Sequence, residues 1–307
     1  MTVSASTPAP KPHSHIREGS RAADVAMLLA TAVICIITLY PMYYVLVMSL
    51  SSAEHVLAMD VYFFPKDIQL DSYRLIFSDN AMWRSYGNTI LYTASTTVLQ
   101  IITCCLGAYP LTVSYLKGRK FLVFFLLVPM YFGGGMIPSY LLISRLGLYS
   151  TIWAIIIPSA VNIWNLILVR TYFSNLPDAM RESAFIDGAN HFQVLFRIYL
   201  PLSKPILAVI AIYAIVAMWN SWFSAQLYLP TTDLHPLQMY LQRILVQQSV
   251  DLTKLSFEEY EKAMDKMFSA MQLKYSMIIF TTLPIIFTYP FFQKYFIKGI
   301  MVGSLKG

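Results

Sequence analysis

Two pairs of side chains set three residues apart carry the most suggestive chemistry in this sequence. Asn162 and Asn165 lie in "PSAVNIWNLI"; Trp219 and Trp222 lie in "MWNSWFSAQLYL", with Asn220 and Gln226 close by. Carboxamides exchange hydrogen bonds with hydroxyls, and indole faces cover apolar ring surfaces, so the set suits a neutral, polyhydroxylated ligand. Each residue also has a structural reading. Asn in an apolar helix bridges neighbouring helices, and Trp near the end of an apolar run anchors it at an interface. A spacing of three puts the members of each pair on neighbouring positions of one helical face. A third feature is "MYFGGGMIPSYL", in which Gly133, Gly134 and Gly135 precede Pro138. Each glycine lowers helix propensity by about 1 kcal/mol relative to Ala. The stretch therefore reads either as a hinge lining a cavity, where broken backbone at membrane depth is tolerated, or as close helix packing through small residues.

The elements that hold these residues are apolar. Of 307 residues, 57% are hydrophobic and 12% charged, against about 25% charged in a soluble domain. Runs free of Asp, Glu, Lys and Arg extend over Val25–Ala53, Ser85–Leu116, Phe121–Ser144, Leu146–Val169, Pro205–Thr232 and Tyr275–Gln293. Each suffices for a hydrocarbon core of roughly 30 Å, which takes about 20 helical residues. The expected fold is all-α, a polytopic membrane protein with six transmembrane helices at about 25–50, 87–115, 121–143, 147–169, 206–229 and 275–293 within a domain spanning 24–300. Residues 1–23 and 301–307 read as cytosolic tails, the first disordered.

Charge sets orientation and narrows function. Lys117, Arg119 and Lys120 follow span two, Lys294, Lys298 and Lys306 follow span six, and Lys11, Arg17 and Arg21 precede span one. All fall on one side, which the positive-inside rule makes cytoplasmic, with both termini. The opposite segments are mixed in charge, and Asp233–Lys274, with its cluster "FEEYEKAMDK", has room for a short helix. The formal charge of +6 reflects this asymmetry and does not point to nucleic acid. Cys35, Cys104 and Cys105 lie within spans, so no disulfide framework is expected. No ionisable residue lies in any span, and all five histidines lie outside them. That argues against ion coupling, voltage sensing, metal-dependent proteolysis and catalysis in general. No cofactor or metal is expected on this chain.

Between spans four and five lies "RESAFIDGANHFQVLFRIYLPLSKP". It reads as two short helices. Asn175 and Pro177 suit the start of the first, and Asp178 and Glu182 lie toward its positive end. Gly188 suits a left-handed stop. Asn190 and Gln193 suit a capping box on the second helix, and Phe192, Leu195, Phe196 and Tyr199 recur at helical spacing as one apolar face. With Arg181 and Arg197 accompanying Glu182 and Asp187, the hairpin lacks the basic face of a lipid-binding helix and fits better into a groove on a protein partner.

These residues carry a resemblance. Glu182-Ser183-Ala184, three residues, Gly188, nine residues, then Ile198-Tyr199-Leu200-Pro201 is similar to the signature of the permease subunits of ATP-binding-cassette importers. Ser183 stands where that signature has a second Ala, one small residue for another. "GGGMIPSYLL", "WNSW" and the C-terminal "KGIMVGSLKG" resemble the carbohydrate-uptake branch, grouped with the lipoprotein-transport-like C subunits and the maltose-permease-G-like proteins. The resemblance implies a type I importer permease fold in which 174–201 is the coupling insert. It implies ATPase contact through Glu182, Ser183, Ala184, Asp187, Gly188, Phe192, Leu195, Phe196, Ile198, Leu200 and Pro201. It implies a second, related permease in a heterodimer, two ATPase domains that bind the ATP and Mg, and an extracytoplasmic solute-binding protein. The implied cargo is carbohydrate, with Gly133–Gly135, Asn162, Asn165, Trp219, Asn220 and Trp222 along its path. A peptide or polyamine importer, and an ATP-independent carrier or channel, are the alternatives.

Overall fold

The computed structural model describes residues 21–246 and 271–293, residue 289 excepted. Residues 1–20 of the tail expected at 1–23, the cluster "FEEYEKAMDK" and the C-terminal residues 301–307 lie outside the described residues; 21–23 open the first helix. Among the described residues there is helix but no strand, as expected where every backbone donor and acceptor must be satisfied without water. The order is α1 (Arg21–Leu50), α2 (Ala53–Ala58), α3 (Asp71–Ser78), α4 (Asn80–Ala108), α5 (Arg119–Tyr131), α6 (Met136–Arg145), α7 (Trp153–Ser159) and α8 (Ile163–Ser174). There follow α9 (Asp178–Ile186), α10 (His191–Val194), a π-helical turn at Leu195–Tyr199, α11 (Leu200–Leu202), α12 (Lys204–Trp219), α13 (Phe223–Tyr228) and α14 (Leu237–Val246). A last helix, α15, covers Met271–Gln293.

Residues up to Val45 form one compact unit, and the chain from Leu46 onward forms another. In the first, the hydroxyls of Thr31 and Thr38 donate to carbonyls one turn back at 2.8 and 2.7 Å, which keeps an apolar helix free of unpaired polar atoms. In the second, α4 is the axis, packed against α7, α8, α12 and α14.

Among the described residues, four helices are long and apolar enough to cross a membrane: Ala22–Leu50, Asn80–Thr112, Trp153–Ser174 and Met271–Gln293. Two more stretches qualify only as bent pairs, Arg119–Tyr131 with Met136–Arg145 at 111° and His191–Leu202 with Lys204–Trp219 at 81°, so the count reaches six if each pair is one span. Four of the expected span limits therefore move. The helix expected at 87–115 begins at Asn80, because the Asp79 carboxylate caps it by accepting from the Ala81 N–H at 2.7 Å. Arg84 is tolerated in its first turns through an ion pair with Asp233. The span expected at 121–143 breaks over Phe132–Gly135, with Gly135 at φ 87°. The span expected at 147–169 is divided after Pro158, and the one expected at 206–229 ends its main helix at Trp219. The short helix expected within Asp233–Lys274 is α14.

On the face where α14 packs, side chains lace loops to α4. Asn88 Nδ2 donates to the Asp233 carbonyl at 2.7 Å, Tyr92 donates to the Leu234 carbonyl at 2.9 Å, and the Leu237 N–H donates to Thr89 Oγ1 at 2.7 Å. At the other end, a core of Cys104, Ala108, Tyr109, Leu166, Phe173, Val194, Leu195 and Tyr199 ties α4 and α8 to the segment 178–202. These two cores fix the ends of α4, between which the polar residues lie.

Candidate functional site

The first part of the site starts from a proline. Pro158 withholds a backbone donor, and the helix is interrupted over Ala160–Asn162 before restarting at Ile163. The interruption frees carbonyls, and three neighbours on one face of α4 take them up. Gln100 Nε2 donates to the Ser159 carbonyl at 2.9 Å, Thr103 Oγ1 to that of Ala160 at 2.6 Å, and Cys104 Sγ to that of Asn162 at 3.7 Å. Gln100 Oε1 in turn accepts from Asn165 Nδ2 at 2.9 Å. Asn162 is the N-cap of α8, its side-chain oxygen accepting from the Asn165 N–H at 3.0 Å.

Beside this interruption lies a cavity of about 440 Å³, lined by Thr96, Gln100, Asn162, Trp164, Asn165, Tyr213 and Ser221 among others. Among the described residues, no acidic or basic side chain lines it. Thr96 is only 2% exposed, and its hydroxyl has no hydrogen-bond partner among the described residues. Trp164 and Tyr213 are exposed alongside. The arrangement offers hydroxyl, amide and indole groups in a neutral setting, which suits a ligand rich in hydroxyls.

The structure sorts the expected ligand residues. Asn162 and Asn165 meet at this cavity, yet as cap and capped residue rather than as partners on one helical face. Trp219 does not join them. It is buried, its Nε1 donates to the Thr281 carbonyl at 3.0 Å, and Tyr86 meets it edge-on at 5.8 Å. Asn220 ends α12 and spends its amide on the Val216 carbonyl at 2.9 Å. Trp222 lies past the end of that helix, packed edge-on against Phe223 at 5.7 Å, so the two tryptophans share no face. Gly133, Gly134 and Gly135 are exposed in the bend between α5 and α6, where a Cβ on Gly133 or Gly135 would meet nothing within 4 Å. Close packing within this chain is therefore not what these glycines serve. Gln100, Thr96, Trp164 and Tyr213 were not singled out from sequence. A signal existed: Thr89, Thr93, Thr96, Gln100 and Thr103 recur at spacings of three and four on one face of α4.

The second part of the site is the hairpin 178–202. Its first helix, α9, starts after Pro177, which sits at the N-cap position itself; Asn175 instead closes the preceding helix α8. The buried Arg181 guanidinium holds Asp178 at 2.6 Å. Gly188, at φ 79°, ends α9: its N–H donates to the Phe185 carbonyl at 3.0 Å, and that of Ala189 to the Ala184 carbonyl at 2.9 Å. This paired closure needs a left-handed residue, which glycine adopts at little cost. The capping box forms, with Asn190 Oδ1 accepting from the Gln193 N–H at 2.9 Å and Gln193 Oε1 from the Asn190 N–H at 2.8 Å. His191 lies between two tyrosines, Nδ1 at 3.0 Å from the Tyr109 hydroxyl and Nε2 at 3.0 Å from that of Tyr115. A neutral imidazole has one donor and one acceptor, so one hydroxyl donates and the other accepts. These bonds tie the hairpin to the turn after α4.

The expected apolar face of the second helix divides in two. Leu195 and Tyr199 are buried in the core, and Phe192 and Phe196 are exposed. The π-helical turn at Leu195–Tyr199 changes the register, so ordinary helical spacing no longer places all four together. Leu195 is thus corrected from a presented residue to a core residue, and Ala184 is likewise buried. The outer surface carries Glu182, Ser183, Asp187, Gly188 and Pro201, with Ile198 and Leu200 half-buried. Ile186, 87% exposed, joins Phe192 and Phe196 and was missed from sequence, although it directly precedes Asp187-Gly188. Ile186, Phe192 and Phe196 are the most exposed of the large apolar side chains on this well-capped hairpin and mark a candidate contact surface.

Membrane-length helices, a mid-span break satisfied from a neighbouring helix, and a rigid amphipathic hairpin define a multi-pass helical membrane protein. The family described as binding-protein-dependent transport system inner membrane component matches residues 81–302, and the chain belongs to it. Members are the non-catalytic permease subunits of ATP-binding-cassette importers, which work with a second permease, an ATPase and a binding protein. The chain is 37% identical to Protein LplC of Bacillus subtilis (strain 168) over 293 residues, covering 95% of this chain and 98% of that one. It is 35% identical over 280 residues to the polygalacturonan/rhamnogalacturonan transport system permease protein YtcP of the same organism, covering 91% and 96% of the two chains. A crystal structure of a bacterial ABC transporter involved in the import of the acidic polysaccharide alginate contains a chain that superposes with a TM-score of 0.80 at 32% identity, covering 93% of this chain and all of that one.

Proposed function

We propose that this chain is one of two related permease subunits, paired as a heterodimer, in an ATP-driven importer of carbohydrate, with oligosaccharide delivered by an extracytoplasmic binding protein. Residues 24–300 form the six-span domain, both termini are cytoplasmic, and 174–201 is the coupling insert. ATP and Mg bind to the partner ATPase, and this chain holds neither. The observation that carries the reading is the exposed set Ile186, Phe192 and Phe196 beside Glu182 and Asp187. It crowns a hairpin whose buried underside belongs to the core of the spans. A push on that surface moves α8 and α12 as a body, because closely packed interiors transmit displacement. The charge-free runs of the sequence contain no Asp, Glu, Lys or Arg for energy coupling, which supports a partner as the source of energy. The carbohydrate assignment is supported by relatives that carry or import polysaccharide fragments. Asn162 and Asn165 remain in the sugar path; Gly133–Gly135 serve as its hinge.

The test uses the whole transporter in proteoliposomes. Ile186→Ser with Phe192→Ser and Phe196→Ser is expected to lower ATPase co-purification and labelled-oligosaccharide uptake together, while membrane insertion is unchanged. Undiminished uptake in that variant would refute coupling through the hairpin and favour an ATP-independent carrier. Uptake of peptides or polyamines but of no oligosaccharide would refute the cargo.

A further inference from the structure

Relatives of this chain include importers of acidic saccharides, and the cavity beside the Pro158 interruption bears on whether this chain shares that preference. Four groups can be followed atom by atom. The Thr96 hydroxyl, on a residue 2% exposed, has no partner among the described residues. Asn162 spends its oxygen on the α8 cap, which leaves its amide N–H groups to face outward. The Gln100 amide is used on both sides, by Ser159 and by Asn165, and so is fixed rather than free to turn. Tyr213 and Trp164 contribute a hydroxyl and an indole face at the rim.

A buried hydroxyl left without a partner is destabilising. It is accommodated where a ligand or water completes its hydrogen bonds. A carboxylate brought to the same place would find neutral donors but, among the described lining residues, no cation to compensate its charge, and an uncompensated anion is disfavoured. We propose that this subunit itself holds a saccharide-binding site at Thr96, Asn162, Trp164 and Tyr213, and that the site accepts uncharged sugar units and rejects uronates. The proposal rests on the carbohydrate reading above.

The experiment takes the complete transporter in nanodiscs without its binding protein and titrates it with maltotriose or with tri-galacturonate, reading tryptophan fluorescence. Maltotriose is expected to give a saturable change that disappears in Trp164→Phe and weakens in Tyr213→Phe, a variant that removes one rim oxygen and leaves packing intact. Tri-galacturonate is expected to bind at least about ten-fold more weakly. Ser221→Lys, which places a cation at the cavity, is expected to narrow that gap. Equal binding of the two trisaccharides to the wild type would overturn the proposal, as would a maltotriose signal indifferent to Trp164→Phe. Failure of the carbohydrate reading is separate: it would show as uptake of no saccharide by the complete system with its binding protein, whatever the cavity binds.

Discussion

The cavity and the hairpin lie at different places along α4 and are held together by different means. At the cavity, bonds join residues far apart in sequence: Gln100 to Ser159 and Asn165, Thr103 to Ala160. Almost every bond that shapes the hairpin is local, from Gly188 back to Phe185 and between Asn190 and Gln193. The cavity exists only once two helices have docked. The hairpin's caps are satisfied within its own segment, and it presents apolar rings that the other described residues leave exposed. The proposed ligand site is thus made from tertiary bonds, and the proposed docking surface from caps.

Four changes break or sharpen that contrast. Gln100→Leu should have the largest effect, because it strands two buried groups at once, the Ser159 carbonyl and the Asn165 amide, each at about 1–3 kcal/mol. A lowered unfolding midpoint of the purified complex, with ATPase association retained, is the expected result; an unchanged midpoint would show that the interruption holds without its neighbour. Gly188→Val comes next. The added side chain has open space, so the cost is backbone alone, about 1–2 kcal/mol for a left-handed residue and more for a branched one. Here uptake and ATPase co-purification should fall while the midpoint of the complex barely moves. Asn190→Ala should cost about 1 kcal/mol of local helix stability, seen as faster amide exchange over residues 191–194 with the cavity unaffected.

The smallest effect is a control outside both regions. The Lys66 ammonium, 2.8 Å from Asp60, and then His55 hold the Asp60 carboxyl below the usual value of 3.8. The sign follows from that depression: the ion pair contributes fully above pH 3.8, and its contribution is lost as pH falls through the lower folded-state value. Asp60→Asn should therefore lower stability slightly at neutral pH, where the pair contributes fully, and flatten the acid limb below pH 3.8, where that contribution is being lost. The pair is exposed, so the effect is slight.

The difference between the two regions also explains how much of each was legible in the sequence. The caps of the hairpin were readable because a cap involves residues within a few positions of one another: Gly188, Asn190 and Gln193 stand where local rules put them. The charge-free runs marked the apolar helices, although their limits moved wherever a charge found a partner, as Arg84 does with Asp233. Asn162 and Asn165 line one cavity, but in a geometry that their spacing does not give, since the interruption after Pro158 makes one of them a cap. Gln100 was passed over because its importance lies in a carbonyl 59 positions away. Trp219 misled for the same reason: α15 decides its burial, and nothing near it in sequence reports that. Leu195 failed through periodicity, because a spacing rule assumes an unbroken α-helix and the π turn is not one.

That turn has a consequence for how the hairpin faces its partner. In it the Leu200 N–H bonds to the Leu195 carbonyl, so the segment contains one residue more than an α-helical path between the same ends requires. One residue of helix corresponds to about 100° of rotation. The compass bearing of Phe192 relative to α12 is therefore written into the length of the chain between them. Deleting Arg197 would swing Phe192 about 100° around the helix axis relative to α12 while removing no aromatic ring.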